Sequence, residues 1–169
     1  MATNFPTSVD VLTNPVSNNS LNSPSHSAQH ANANDAIEAV ESYLINKTNG
    51  SAVYTANATL GTFYATYITI NLTSLARPML ITWSAVFSNQ NSGASRSVSF
   101  KVAMDGTTVG TEFLNIHSPY VAGIGTPTTT GGSFIVTPAS GARVFTLQAL
   151  ASSGAAVALP YATMTIVEL

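Results

Sequence analysis

From residue 50 onward, apolar and polar residues alternate with a two-residue period, and turn residues interrupt the alternation about every ten positions. Successive side chains of a strand point to opposite faces, so such alternation is typical of strands with one buried face. Residues 96–104 show it most clearly, because one side collects Val98, Phe100, Val102 and Met104. The pattern predicts a β domain over residues 50–169.

The alternation predicts about eight strands, at residues 53–59, 62–72, 79–88, 96–104, 107–116, 133–137, 143–151 and 162–168. Asp105-Gly106, between two of these strands, is a hairpin-turn signal. Residues 79–88 are apolar on both faces, which is typical of a strand that is covered on both sides. Such a strand lies either in the centre of a sandwich or with one face against another subunit. Long connections, such as residues 118–132, favour a jelly-roll-like β-sandwich over a small barrel.

A short amphipathic helix is predicted before the β domain, at residues 35–49. Asp35 followed by Glu38 has the spacing of a capping box. The apolar residues that follow have the alternating spacing of a coiled-coil seam: Ala33, Ile37, Val40 and Leu44. Asn49-Gly50 would end this helix of about three turns, a length at which isolated helices are marginal in water. We therefore expect Ile37, Val40 and Leu44 to be assembly residues that need partner helices.

Residues 1–34 predict an extended arm, because Pro6, Pro15 and Pro24 alternate with Asn- and Ser-rich sequence. Proline fixes φ, and Asn and Ser side chains compete for backbone hydrogen bonds, so neither a helix nor a central strand is favoured. Disorder is the alternative to an arm that becomes ordered on a partner. If the arm becomes ordered on a partner, we expect its apolar anchors to be Phe5, Val11 and Leu12.

The same part of the chain resembles a known family. Residues 22–41, which include SPSHSAQHANANDAIEAVE, resemble the N-terminal segment of tailed-bacteriophage virion structural proteins, usually described as tail-fibre or minor structural proteins. The opening FPTSVDVLTNP, at residues 5–15, is similar to the first residues of that family. The resemblance implies a component of the phage particle surface. It does not imply a position on that particle, because related arms precede different C-terminal domains.

The charge content points to a protein that packs against copies of itself or neighbours. Charged residues make up 7% of the chain, against about 25% in typical soluble domains. The five Lys and Arg residues are scattered and the net charge is −2, so we expect no nucleic-acid partner. The N-terminus has neither a basic region nor an apolar run, and no apolar stretch approaches the ~20 residues that cross a bilayer. We expect neither secretion nor membrane insertion. The absence of cysteine excludes disulfides and thiolate metal sites.

No pattern in the chain predicts catalysis or a cofactor. His26 and His30 have i, i+4 spacing and are weak candidates for a metal site, although the sequence around them favours a turn and no further ligand lies beside them. The chain has no nucleophile elbow and no phosphate-binding loop. Aromatic residues could in part form a glycan-binding patch, but those within strands are better explained by core packing. Tyr120, in a long connection, is the candidate for receptor contact.

The combined interpretation is a non-enzymatic phage virion protein, a homotrimer whose arm and helix attach to other virion proteins of the tail or capsid. Its β domain would be exposed, by analogy with trimeric tumour-necrosis-factor or complement-type head domains on viral spikes, and could contact a host receptor or glycan. The leading hypothesis is a short tail fibre or spike. A capsid cement or head-fibre protein is the alternative, favoured by the lack of a shaft repeat. A polysaccharide-degrading virion enzyme is disfavoured, because the β domain has no paired acidic residues.

Overall fold

The computed structural model describes residues 25–90, 95–118, 127–152 and 157–169. The chain divides into two compact units, Met1–Lys47 and Thr48–Leu169. The described part of the first unit contains one helix, α1 (His26–Ile45). The described part of the second unit contains nine strands: β1 (Asn49–Tyr54), β2 (Ala58–Thr59), β3 (Ala65–Ser74), β4 (Met79–Asn89), β5 (Arg96–Met104), β6 (Thr107–Ser118), β7 (Pro127–Val136), β8 (Gly141–Ala151) and β9 (Val157–Glu168).

Helix α1 begins earlier than the sequence predicted, and the expected start at Asp35 is wrong. Ser25 is the N-cap residue: its Oγ accepts a hydrogen bond from the Ala28 amide at 3.3 Å, and its carbonyl accepts one from the Gln29 amide at 3.1 Å. Five alanines between positions 28 and 39 favour the helix enough to offset the poor propensity of the asparagines. Residues 26–34 are therefore helical rather than part of an extended arm.

The C-terminal end of α1 also differs from the expectation. The helix ends at Ile45, where the Asn46 amide donates to the Ser42 carbonyl at 3.1 Å. The Asn46 side chain donates to Ser42 Oγ at 3.0 Å. Asn49 and Gly50, the predicted stop, already belong to β1, because they pair with Val167 and Ile166 of β9. The helix has 20 residues and so is about 30 Å long.

The β domain is an antiparallel sandwich of jelly-roll type, as the sequence predicted. The first sheet has the order β1-β9-β4-β7, with the short β2 pairing to β9 beside β1. The second sheet has the order β3-β8-β5-β6. Apart from the short β2, consecutive strands alternate between the two sheets, except that β5 and β6 are neighbours in the second sheet. This is the eight-strand connectivity of two Greek keys. Strand β4 lies between β9 and β7 in the first sheet, and its alternate residues are buried in the core while those between them are partly or fully exposed.

Several strand boundaries differ from the sequence prediction, among them those at residues 53–59 and at β7. The predicted strand at residues 53–59 is split into β1 and β2, because Asn57 has a φ of 52° and cannot continue a strand. Strand β7 begins at Pro127 rather than at Ser133, so part of the expected long connection is strand. Proline is tolerated at the first residue of an edge strand, and the threonines after it favour extended backbone.

The core between the sheets is held by an aromatic cluster. Phe100 from the second sheet is fully buried, and its ring centroid lies 5.3 Å from that of Trp83 and 5.7 Å from that of Phe87 in the first sheet. Phe113 packs edge-on against Trp83 at 5.0 Å. Gly132 faces Phe113, and a Cβ at that position would collide with the ring. These contacts join the two sheets across the centre of the sandwich.

The predicted Asp105-Gly106 hairpin turn is confirmed between β5 and β6. Both residues have positive φ, 51° and 83°, as a turn of this kind requires. The Asp105 carboxylate accepts a hydrogen bond from the Val144 amide at 2.9 Å and forms an ion pair with Arg143 at 3.0 Å. The same guanidinium donates to the Ala139 and Ser140 carbonyls. The turn is therefore fastened to the start of β8.

This arrangement predicts a specific dependence of stability on acid. The Val144 amide, followed by Arg143, holds the pKa of Asp105 below its usual range. A lowered folded-state pKa stabilises the protein above the unfolded-state pKa of about 3.9, and that stabilisation is lost as pH falls through the folded value. Asparagine also tolerates positive φ, so Asp105→Asn removes the charge without straining the turn. The variant should melt at a lower temperature than the wild type at pH 6, and this difference should shrink as the pH is lowered to 3. An equal difference at both pH values would contradict this role.

Candidate interaction surfaces

The first candidate surface is the apolar stripe of α1, defined by Ile37, Val40 and Leu44. These side chains are 57%, 40% and 58% exposed, although each is an aliphatic residue that is normally covered. Together with Ala36 and Glu41, the first two line a shallow, mainly apolar depression. The structure thus places the three predicted assembly residues on one exposed side of one helix.

The heptad positions of the apolar stripe can be assigned now that the helix is known to be continuous. A spacing of three and then four residues places Ile37 and Leu44 at a positions and Val40 at a d position. A β-branched residue at d with Leu at a favours assemblies of more than two helices. Helix α1 carries this register over nearly three heptads.

The two candidate metal ligands lie on the same helix, contrary to the turn expected around them. His30 is exposed and stands seven residues before Ile37, so it continues the a positions of the stripe towards the N-terminus. The side chain of His26 lies outside the described part of the structure. Among the described residues, no group of three or more His, Cys, Asp and Glu side chains could hold a metal ion.

The other predicted contact residues fall elsewhere. Phe5, Val11 and Leu12 of the arm, and Tyr120, lie outside the described residues. Phe63, which the sequence assigned to a strand and hence to the core, instead precedes β3 and is 84% exposed. Gly61, two residues earlier, marks the break in the strand pattern that could have identified this loop.

The second candidate surface is the outer face of the first sheet. Along β4 and β9, the residues at alternate positions are buried in the core, and those between them point outward. The strand register brings the outward residues of four strands onto one surface, which we call the uncharged face. It consists of Asn49, Ser51, Val53, Leu80, Thr82, Ser84, Val86, Thr129, Gly131, Ser133, Ile135, Tyr161, Thr163, Thr165 and Val167.

None of these fifteen described positions carries a charged side chain. The charged residues of the strands lie instead in the second sheet, with the exception of Glu168: they are Arg96, Lys101, Glu112 and Arg143. Glu168 lies in the first sheet but is only 1% exposed. The two sheets thus differ sharply in charge. The apolar residues on both sides of β4 are visible in the sequence, whereas the other three strands of the face are identified only by the sheet order.

The carboxylates of the β domain each have a structural role. Asp105 binds Arg143 and the Val144 amide, as described above. Glu168 is buried, and its Oε2 accepts a hydrogen bond from the Thr48 amide at 2.8 Å, which ties the start of the domain to its last strand. Glu112 lies beside Tyr64, whose ring lies 4.1 Å from the Lys101 ammonium. Burial, and then the Glu112 carboxylate, raise the pKa of Tyr64 to about 12.

Within the described residues, no helix combines the length and apolar character needed to cross a membrane.

Compared with solved structures, the chain is similar in fold to viral capsid proteins. It matches VP2 of the infectious bursal disease virus subviral particle with a TM-score of 0.49 and 11% identity, over 73% of this chain and 33% of that chain. It matches the T=1 particles derived from the same virus with a TM-score of 0.50 and 10% identity, over 73% and 32%. The chain therefore spans about a third of the length of these capsid chains.

A smaller protein, Eiger TNF from S. frugiperda, is matched with a TM-score of 0.38 and 7% identity, over 73% of this chain and 92% of that chain. At such identities, the likeness to solved structures is one of fold. No protein-family model and no curated protein matches the chain.

Proposed function

We propose that the chain is a non-enzymatic structural protein of a phage particle, a short homotrimeric fibre or spike attached through its N-terminal segment. The observation that carries the proposal is the apolar stripe of α1, which stands in a unit separate from a jelly-roll domain. Three copies of α1 would bury Ile37, Val40 and Leu44 against one another. The resemblance of residues 22–41 to tailed-phage virion proteins supports the phage assignment, and the capsid-type fold of the β domain is compatible with it.

In this proposal the two units have separate tasks. The arm and α1 hold the protein on the particle and bring the three copies together, whereas the β domain is exposed to the surroundings. Phe63 is then a candidate for contact with a host receptor or glycan, because its ring is open to solvent and can stack on an apolar ligand surface.

A deletion tests the attachment step. Removing residues 1–24 leaves the Ser25 cap and all of α1 in place, so the helix and the β domain should keep their structure. We expect the truncated protein to be missing from purified phage particles that carry the full-length protein, as measured by quantitative immunoblotting. Circular dichroism of the isolated protein is the control for folding. Occupancy equal to that of the full-length protein would place attachment in α1 or in the β domain.

The second candidate function is a capsid decoration protein that staples neighbouring capsid subunits. The observation that favours it is the fold shared with about a third of the chain that forms the T=1 particles derived from infectious bursal virus. Antibody against the β domain, viewed by electron microscopy on intact phage, separates the candidates. Label at the tail supports the fibre, and label spread over the capsid supports decoration.

A polysaccharide-degrading enzyme would use two carboxylates facing each other across the sugar bond. Asp105, Glu112 and Glu168 are instead engaged in three different places of the β domain, in a turn, beside Tyr64 and at the Thr48 amide. Their separate positions support a protein that acts through its surfaces.

A further inference from the structure

The uncharged face has an internal order that a solvent-exposed sheet does not require. At one end, Val167, Leu80 and Ile135 form an aliphatic row across three strands, because Leu80 pairs with both of its neighbours. At the other end, Tyr161 pairs with Val86. Threonine and serine hydroxyls fill the middle. Fully exposed strand faces usually carry charged residues, which keep them soluble and separate.

Two of the hydroxyls in the middle of the face can be buried at low cost. Ser84 Oγ and Thr163 Oγ1 are hydrogen-bonded to each other at 2.8 Å across β4 and β9. A hydroxyl that already has a partner within its own chain loses less on leaving water than an unpaired one. The face therefore combines apolar rows with polar groups that are partly satisfied before any contact forms.

We propose that the uncharged face is the surface through which the β domains of neighbouring copies pack around a three-fold axis. This inference rests on the trimer of the proposed function and names its second contact. Residues near a symmetry axis meet their own copies, so a charge there would meet a like charge at short range. A face without charge avoids such like-charge contacts near the axis, whereas a charged partner would leave its charges buried and unpaired against it.

The size of the face is compatible with this role. The face spans about five residues of β1 and seven each of β9, β4 and β7, which at a strand spacing of about 4.8 Å and a rise of about 3.3 Å per residue present roughly 400 Å². That area is of the same order as the ~800 Å² that each partner buries in a standard protein–protein interface. Packing of the α1 helices would add to it.

The test places a charge of either sign in the centre of the face. Thr82 is an exposed threonine in the middle of β4, and Thr82→Lys and Thr82→Glu each place a charge without a partner in the proposed contact between identical copies. Thr69, an exposed threonine on the outer side of the second sheet, is the matched control for both substitutions. Sedimentation equilibrium of the full chain should show dissociation constants at least about tenfold higher for both Thr82 variants and unchanged for both Thr69 variants.

Comparing the positive and the negative substitution distinguishes an identical copy from a different protein as the partner of the face. Self-association is weakened by both substitutions, whereas a charged foreign partner would be bound more tightly with one sign and less tightly with the other. Wild-type association of either Thr82 variant would overturn the proposal. Ser133→Lys, at an exposed position of the edge strand β7, repeats the test where a charged side chain is easily accommodated if a Thr82 variant fails to fold.

Repeating the Thr82→Lys substitution in a variant without the apolar stripe separates this inference from the proposed function. In Ile37→Ser/Leu44→Ser, the apolar stripe is removed and association should depend on the β domains. A further loss on adding Thr82→Lys supports the uncharged face. If Thr82→Lys changes nothing while the wild-type chain is a trimer, the face is wrong and the trimer stands. If the wild-type chain is a monomer, the trimer of the proposed function fails first.

Discussion

Replacing Phe100 by Ala should lower the free energy of unfolding of the β domain by about 3–5 kcal/mol. The ring is fully buried and lies against Trp83 and Phe87 of the opposite sheet, so its removal leaves a cavity at the point where the two sheets meet. Trp83 is also in contact with Phe113 and would lose one side of its packing. Domains of this size are stable by only about 5–15 kcal/mol, so the variant should lie close to the limit of folding.

Phe63→Ala is the matched control, because it removes the same side chain from a position that is 84% exposed. Its effect should stay within about 0.5 kcal/mol. Urea unfolding followed by tryptophan fluorescence measures both, since the single Trp83 reports directly on the core. Large losses of stability for both variants would mean that Phe63 is covered in the folded protein. Small losses for both would mean that the aromatic cluster is not the main support of the sandwich. The same variant tests Phe63 in binding, because receptor contact would be lost without a loss of stability.

The sequence predicted the β domain well because its signals are local. Two-residue alternation needs only the side chains of one strand, and the Asp105-Gly106 turn needs only two residues with positive φ. The order of the strands is a different problem. Strand β4 pairs with β9 and β7, which are about eighty and fifty residues away in the chain, and no local pattern specifies such partners. For this reason the uncharged face could not be assembled from the sequence.

The errors at the helix and at β7 have a common cause. The average preferences of Asn and Pro argue against a helix at residues 26–34 and against a strand that begins at Pro127, although position decides what these residues do. Pro24 precedes the N-cap residue of α1 and does not interrupt the helix, and Pro127 opens an edge strand. Ser25 was the available signal for the helix start, because a serine followed by an alanine-rich stretch is a good N-cap. The assembly role of Ile37, Val40 and Leu44 stays a prediction.

That role leads to the second large effect: Ile37→Ser/Leu44→Ser should strongly weaken the association of the proposed trimer. Both residues occupy a positions of the apolar stripe and are more than half exposed in the single chain. Each would be covered by two partner helices in a trimer, so three copies would lose six buried aliphatic side chains at once. Burial of a Leu or Ile side chain contributes about 1.5–3 kcal/mol. We therefore expect a dissociation constant raised by several orders of magnitude in the helix-mediated step, measured by sedimentation equilibrium.

Ala31→Ser/Ala39→Ser is the control, because these positions lie on α1 outside the a and d register and the substitutions lower helix propensity without touching the stripe. The control should associate as strongly as the wild-type chain. The near-ultraviolet circular dichroism of Trp83, which is distant in sequence from both pairs, shows whether the β domain stays folded in each variant. Equal dissociation of the two variants would mean that helix stability, and not the apolar stripe, limits assembly. Association unchanged in Ile37→Ser/Leu44→Ser would show that the stripe contacts something other than a copy of itself, and the arm's attachment partner on the particle would then be the candidate.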